Sequence, residues 1–166
     1  MRYRKAVLIR HVIGSLALLG SAVVLAADYP KEGKYDFSSC WAGTSSSIAF
    51  SKTHFANNIE FTGSSRSNPP GGFGDMTSFR CVGTIYAFAG KPSGTVVCES
   101  VDRDGDKALS HYAVEGGESK RTAIVGTGKY DGMVSSGTTQ ALGPFPTIKA
   151  GTFQNCNRQT GTYKLK

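Results

Sequence analysis

The sequence predicts an all-β chain that closes into an antiparallel, up-and-down barrel of eight strands or nearly so. Short runs rich in Val, Thr, Ile, Phe and Tyr recur along the chain, separated by clusters of Gly, Pro, Asn and Asp at the intervals of consecutive antiparallel strands. Glycine is abundant, at 21 of 166 residues, as tightly turned and strongly curved strands require. So many short strands would expose edges in an open sheet, and closure removes them.

Strands are expected near 45–51, 57–62, 76–87, 94–101, 107–115, 119–126, 130–140, 147–154 and 160–166. In "KALSHYAVE", Leu109, Tyr112 and Ala113 have helical spacing, but the segment is short and bounded by Asp-Gly and Gly-Gly, which favours a strand. "TGSSRSNPPGGFG", 62–74, reads as the one long loop, either a plain connection or a lid over a cavity.

An address precedes the strands. "MRYRK" is basic, "AVLIRHVIGSLALLGSAVVLA" is largely apolar, and Val24-Leu25-Ala26 offers the small residues a signal peptidase accepts. Residues 1–26 are expected to be a cleaved signal peptide, leaving one barrel domain over 27–166 in the periplasm or outside the cell. The apolar run from Val12 to Ala27 is short for a retained anchor, and no membrane association is expected after cleavage. Arg2, Arg4, Lys5 and Arg10 leave with the leader, so the formal +7 of the whole chain becomes +3, from 15 cations against 12 acids. The remaining cations are scattered, without a run to neutralise successive phosphates, and nucleic acid is not an expected partner.

The cysteines Cys40, Cys81, Cys98 and Cys156 all follow the leader, an even number that implies two disulfides with three connectivities open. No CxxC pair occurs, and His54 and His111 stand at offsets unrelated to the cysteines, so no zinc site is expected. "CESVDRDGDK", 98–107, places acids at alternate positions in the manner of a calcium loop. Counted from Asp102, however, glycine falls at position 4, Lys107 at position 6 and Ala113 at position 12, where that loop needs glycine and glutamate. Asp104-Gly105 instead suits the centre of a two-residue type I′ hairpin turn. No metal or cofactor is expected.

That turn sets a register in which Arg103 faces Asp106, Val97 faces Tyr112, Cys98 faces His111 and Glu99 faces Ser110. One surface then carries Thr95, Val97, Glu99, Val101, Ala108, Ser110, Tyr112 and Val114, and the other Val96, Cys98, Ser100, Leu109, His111 and Ala113. If Cys81 and Cys98 sit opposite each other, the preceding hairpin reverses between Ala89 and Gly90, and Val82, Thr84 and Tyr86 join the first surface. A tighter turn at "KPSG" would put the two sulfurs roughly 20 Å apart at about 3.3 Å per residue, so Cys81–Cys98 with Cys40–Cys156 is the preferred pairing.

The first surface, with Tyr86, Val97 and Tyr112, is the expected barrel interior. Glu99 would stand within it as a polar anchor or proton donor, its carboxyl raised by burial. The alternative has this surface facing water, or Glu99 near the rim and paired with a neighbouring cation. Cys98 beside His111 has the form of a nucleophile with its base, against which stands the even cysteine count. "GTGKYDG", 126–132, has Asp131 where a phosphate loop needs glycine, and fits a hairpin turn. Neither GxSxG nor HExxH occurs.

"CESVDRDGDK", "IVGTGKYDGMVSSGT" and the terminal "GTYKL" together resemble a group of exported bacterial proteins similar to the allene oxide cyclase and dirigent-type barrels, from about Phe79 onward. The resemblance implies an eight-stranded barrel, lipocalin-like in outline, with an apolar cavity. Enzyme members of that group steer cyclisation of a bound substrate by shape, without a cofactor. Three readings follow: a non-enzymatic exported barrel binding a small apolar or amphipathic molecule, a cofactor-free isomerase or cyclase using Glu99, and a structural or interaction protein with a filled barrel.

Overall fold

The computed structural model describes residues 30–166, so the expected signal peptide lies outside the described residues. Eight strands close into a barrel in chain order, each antiparallel to its neighbours: β1 (Glu32–Ser51), β2 (His54–Ser67), β3 (Thr77–Phe88), β4 (Lys91–Val101), β5 (Lys107–Glu115), β6 (Glu118–Gly126), β7 (Val134–Ala141) and β8 (Thr152–Lys164). The seam pairs β1 with β8, from Glu32 opposite Lys164 to Thr44 opposite Thr152.

Several boundaries differ from the sequence expectation. β1 begins at Glu32, well before 45, because Tyr35, Phe37, Ser39 and Trp41 alternate inward in a stretch whose serines and glycines weaken the strand signal. Residues 62–67 continue β2, which confines the loop to 68–76. Two expected C-terminal strands are one, with 147–151 in the preceding connection.

The 68–76 connection turns into one end of the barrel and seals it. Phe73 is buried there, stacked on Tyr163 at 4.4 Å and Tyr35 at 5.4 Å between ring centroids, with Tyr130 edge-on at 6.0 Å. Asp75 braces the loop by accepting the Ser67 amide at 3.1 Å and the Gly71 amide at 2.9 Å, and Ser65 Oγ donates to the Gly74 carbonyl at 2.6 Å. Tyr35 lies over the facing glycines Gly137 and Gly161, where a Cβ would come within 2.1 and 2.5 Å of its hydroxyl.

The acids of "DRDGD" meet at the same end. The Gly105 amide donates to the Asp102 carbonyl at 3.1 Å and the Asp102 amide to the Asp106 carbonyl at 3.0 Å, so the turn has three residues, not two. Gly105 takes φ +88° while Asp104 is not in the positive-φ region that a type I′ turn requires of both central residues. Asp102 Oδ1 fixes this length by accepting the amides of Asp104 at 2.9 Å and Asp106 at 3.1 Å. Its Oδ2 accepts Tyr130 Oη at 2.9 Å and Lys129 Nζ at 2.9 Å. Lys129 Nζ also lies 2.5 Å from Asp104 and 4.0 Å from Asp106, so an ammonium from "GTGKYDG" occupies the place among these acids where a calcium ion would stand. Gly128 permits the approach, since a Cβ there would fall 1.8 Å from Asp106 Oδ1.

Burial alone would raise the Asp102 carboxyl, but the bonds from Lys129, Tyr130 and the Asp104 amide outweigh it and hold the group below its ordinary range. A lowered carboxyl contributes stability that is present above its unfolded value and lost as pH falls through the folded one. Stability is therefore expected to decline below about pH 4. Asp102→Asn is expected to cost about 3 kcal/mol at neutral pH and to shallow this acid limb, as read by urea titration across pH.

Both disulfides form as preferred, Cys81–Cys98 between β3 and β4 and Cys40–Cys156 across the seam. Their sequence separations are 17 and 116 residues. Loop-closure entropy then assigns about 3 kcal/mol to the first and about 5 kcal/mol to the second, so the Cys40→Ala/Cys156→Ala double variant is expected to lose more stability than Cys81→Ala/Cys98→Ala in parallel denaturation curves.

Candidate functional site

The three-residue turn moves the β4–β5 register by one from the expected pairing. Val96 faces Tyr112, Cys98 faces Ser110 and Ser100 faces Ala108. A one-residue slip carries every side chain of a strand to the other face. The interior therefore takes Val96, Cys98 and Ser100 from one expected surface, and Ala108, Ser110, Tyr112 and Val114 from the other.

Of the four residues expected to contact a ligand, Tyr112 lines the interior and Glu99, Val97 and Tyr86 do not. Glu99 lies on the outer face with about half its side chain exposed, paired with Lys107 Nζ at 2.8 Å, and that bond lowers its carboxyl instead of raising it. Val97 stands opposite Val82 and His111 on the outer wall, and Tyr86 packs there tilted against Phe88, ring centroids 5.2 Å apart. The Cys98 and His111 pair is likewise separated. Cys98 is bonded to Cys81 on the inner wall, while His111 Nε2 lies 2.6 Å from Thr95 Oγ1 on the exposed side.

The interior encloses a cavity of about 280 Å³. Its floor is the Phe73 seal with Phe37, Tyr130 and Met133. One wall is apolar and largely aromatic, formed by Trp41, Ile59, Phe61, Phe79, Val96 and Phe153 beside the Cys81–Cys98 disulfide. Phe61 organises it, tilted against Trp41 at 5.4 Å and edge-on to Phe153 at 5.9 Å and Phe79 at 6.4 Å. The polar part of the lining comes from β5, β6 and β8 and carries Ser110, Tyr112, Arg121, Asn155, Asn157 and Gln159; on β8 it meets the aromatic part, where Asn155 pairs with Trp41. Tyr112 Oη donates to Gln159 Oε1 at 3.2 Å, and Gln159 Nε2 to Asn157 Oδ1 at 3.2 Å.

Arg121 is the charged residue of this lining, which contains no Asp or Glu. It is 6% exposed, donates from Nη1 to Ser135 Oγ at 2.7 Å, and lies 5.7 Å from the Tyr35 ring centroid. Burial raises the Tyr35 phenol, an effect the neighbouring guanidinium partly offsets. Ser110 Oγ is buried and has no hydrogen-bond partner among the described residues.

The sequence treated Arg121 as one scattered cation. Its signal was the Gly116-Gly117 reversal, with φ +62° and +93°, whose two-residue register puts Arg121 opposite Tyr112 and so on the same inner face. No metal-binding group of His, Cys, Asp or Glu occurs among the described residues. Comparison with protein families, curated proteins and solved structures gives no match.

Two buried serines, Ser135 beside Arg121 and Ser110 in the cavity lining, are expected to respond oppositely to truncation. Ser135→Ala removes the acceptor of a buried guanidinium and is expected to cost about 1–3 kcal/mol, whereas Ser110→Ala removes an unsatisfied buried hydroxyl and is expected to leave the urea midpoint unchanged or higher.

Proposed function

We propose that this chain is an exported, non-enzymatic barrel whose cavity holds a small apolar or amphipathic molecule. The observation that carries this reading is the two-sided cavity, with an aromatic wall to bury an apolar body and a polar wall to orient it. Its volume of about 280 Å³ falls just below the roughly 300–1,000 Å³ of small-molecule pockets, so the occupant is compact. Two disulfides suit an oxidising compartment, and no helix among the described residues is long and apolar enough to cross a membrane. An eight-stranded barrel with an internal cavity is also the architecture implied by the resemblance to the allene oxide cyclase and dirigent-type group. A cyclase reading in this cavity would have to work without Glu99, which stands outside it. A filled barrel accounts poorly for an unsatisfied hydroxyl and a buried cation facing open space.

Native mass spectrometry of protein purified from its own host is expected to show a bound molecule retained at low collision energy. Trp41, the single tryptophan, lines the cavity, so adding the extracted molecule back to stripped protein is expected to shift its emission. Repeated ligand-free spectra, with no Trp41 response to a panel of small apolar compounds, would leave the filled-barrel role in its place.

A further inference from the structure

Arg121 is a positive charge enclosed by the barrel with no carboxylate to neutralise it. Among the described residues it forms no ion pair, and Ser135 and the neighbouring Tyr35 phenol engage only part of its five donors. Charged side chains elsewhere on the barrel wall face outside, in reach of water, and several pair there with opposite charges, as Glu60 does with Arg80 and Asp36 with Arg158. An isolated buried cation is costly unless an anion or further acceptors complete it. Ser110 Oγ, a second unsatisfied group, lines the same cavity on the strand that faces Arg121, and Tyr112 is the residue directly opposite Arg121. Hydrogen-bonding capacity that the protein itself leaves unused is therefore gathered on β5 and β6, across the barrel from Phe61 of β2 and Phe79 of β3.

Resting on the cavity-binding reading above, we propose that the occupant is a compact monocarboxylate, its carboxylate seated on the Arg121 guanidinium beside Ser110 and its apolar body against the aromatic wall. The planar guanidinium fork matches a carboxylate in two parallel hydrogen bonds. A single cation in the lining favours one negative charge over a phosphate dianion. The volume limits the apolar part to a short chain or a single ring.

Three ligands of one chain length, octanoate, 1-octanol and octylammonium, separate the anchor from the cavity when titrated by calorimetry into the disulfide-intact protein. Octanoate is expected to bind about tenfold more tightly than octanol, with octylammonium the weakest. In Arg121→Gln, the octanoate advantage is expected to fall to about onefold while octanol keeps its affinity. Octanol binding as tightly as octanoate to the parent protein would overturn the anchor and leave the cavity reading standing, and this arm requires no variant to fold. Persistence of the octanoate preference in folded Arg121→Gln, or equal loss of both ligands, would also overturn it. Binding of none of the three would overturn the anchor, while the cavity reading then stands or falls on the native mass spectra and the Trp41 response.

Discussion

The Asp102 carboxylate accepts the amides of Asp104 and Asp106 and thereby holds the β4–β5 turn at three residues, and the sidedness of both strands follows from that length. With a two-residue turn, Val97 and Glu99 would share a face with Tyr112. With three residues, Val96 and Cys98 do. Since the Cys81–Cys98 bond ties β4 to β3, and the Gly116-Gly117 turn ties β5 to β6, the choice propagates around the wall. The inward positions of Phe79, Ser110 and Arg121 are consistent with this one register and would not survive its shift.

The same carboxylate joins two distant parts of the chain. Asp102 from the β4–β5 turn meets Lys129 and Tyr130 from the β6–β7 connection, and Thr127 Oγ1 accepts the Lys107 amide at 2.9 Å. The stretches "CESVDRDGDK" and "GTGKYDG", which suggest a calcium loop and a phosphate loop when read separately, complete each other once folded. Lysine supplies the cation that the acids need, and the acids supply the anion that the glycine-rich loop could have held. Their chemistry is spent on closing one end of the barrel, so the motifs that support the family resemblance bear on architecture and not on what the cavity holds.

The barrel class was legible from strand periodicity and the number of disulfides from an even cysteine set, whereas the Ala89-Gly90 reversal and the pairing were legible only together, since the one register that sets Cys81 opposite Cys98 turns the chain there. The interior was legible only in part. Tyr112 fell on the correct face, while Glu99, Val97 and Tyr86 did not, because the Asp-Gly pair suits two turn lengths and the side chain that decides between them, Asp102, lies outside the pair. Arg121 was missed because an isolated arginine in a polar segment gives no periodic signal of burial. Phe73 was hidden for another reason: a loop rich in Pro and Gly reads as solvent-exposed, although its one aromatic residue closes the barrel floor.

The two ends of the molecule carry unequal obligations. At the sealed end, every connection is engaged: the Phe73 loop in ring stacking, the aspartate turn and the lysine loop in each other. At the far end, the reversals at 52–53, 89–90 and 116–117 are brief and solvent-facing, and the 142–151 connection is largely exposed, tied by the bonds from the Leu142 amide to the Cys156 carbonyl and from the Ser45 amide to the Gly151 carbonyl. Sequence drift and insertions should accumulate at that rim without disturbing the scaffold. The barrel thus offers a fixed base and an editable margin, and new specificity can be written around the margin while the base stays untouched.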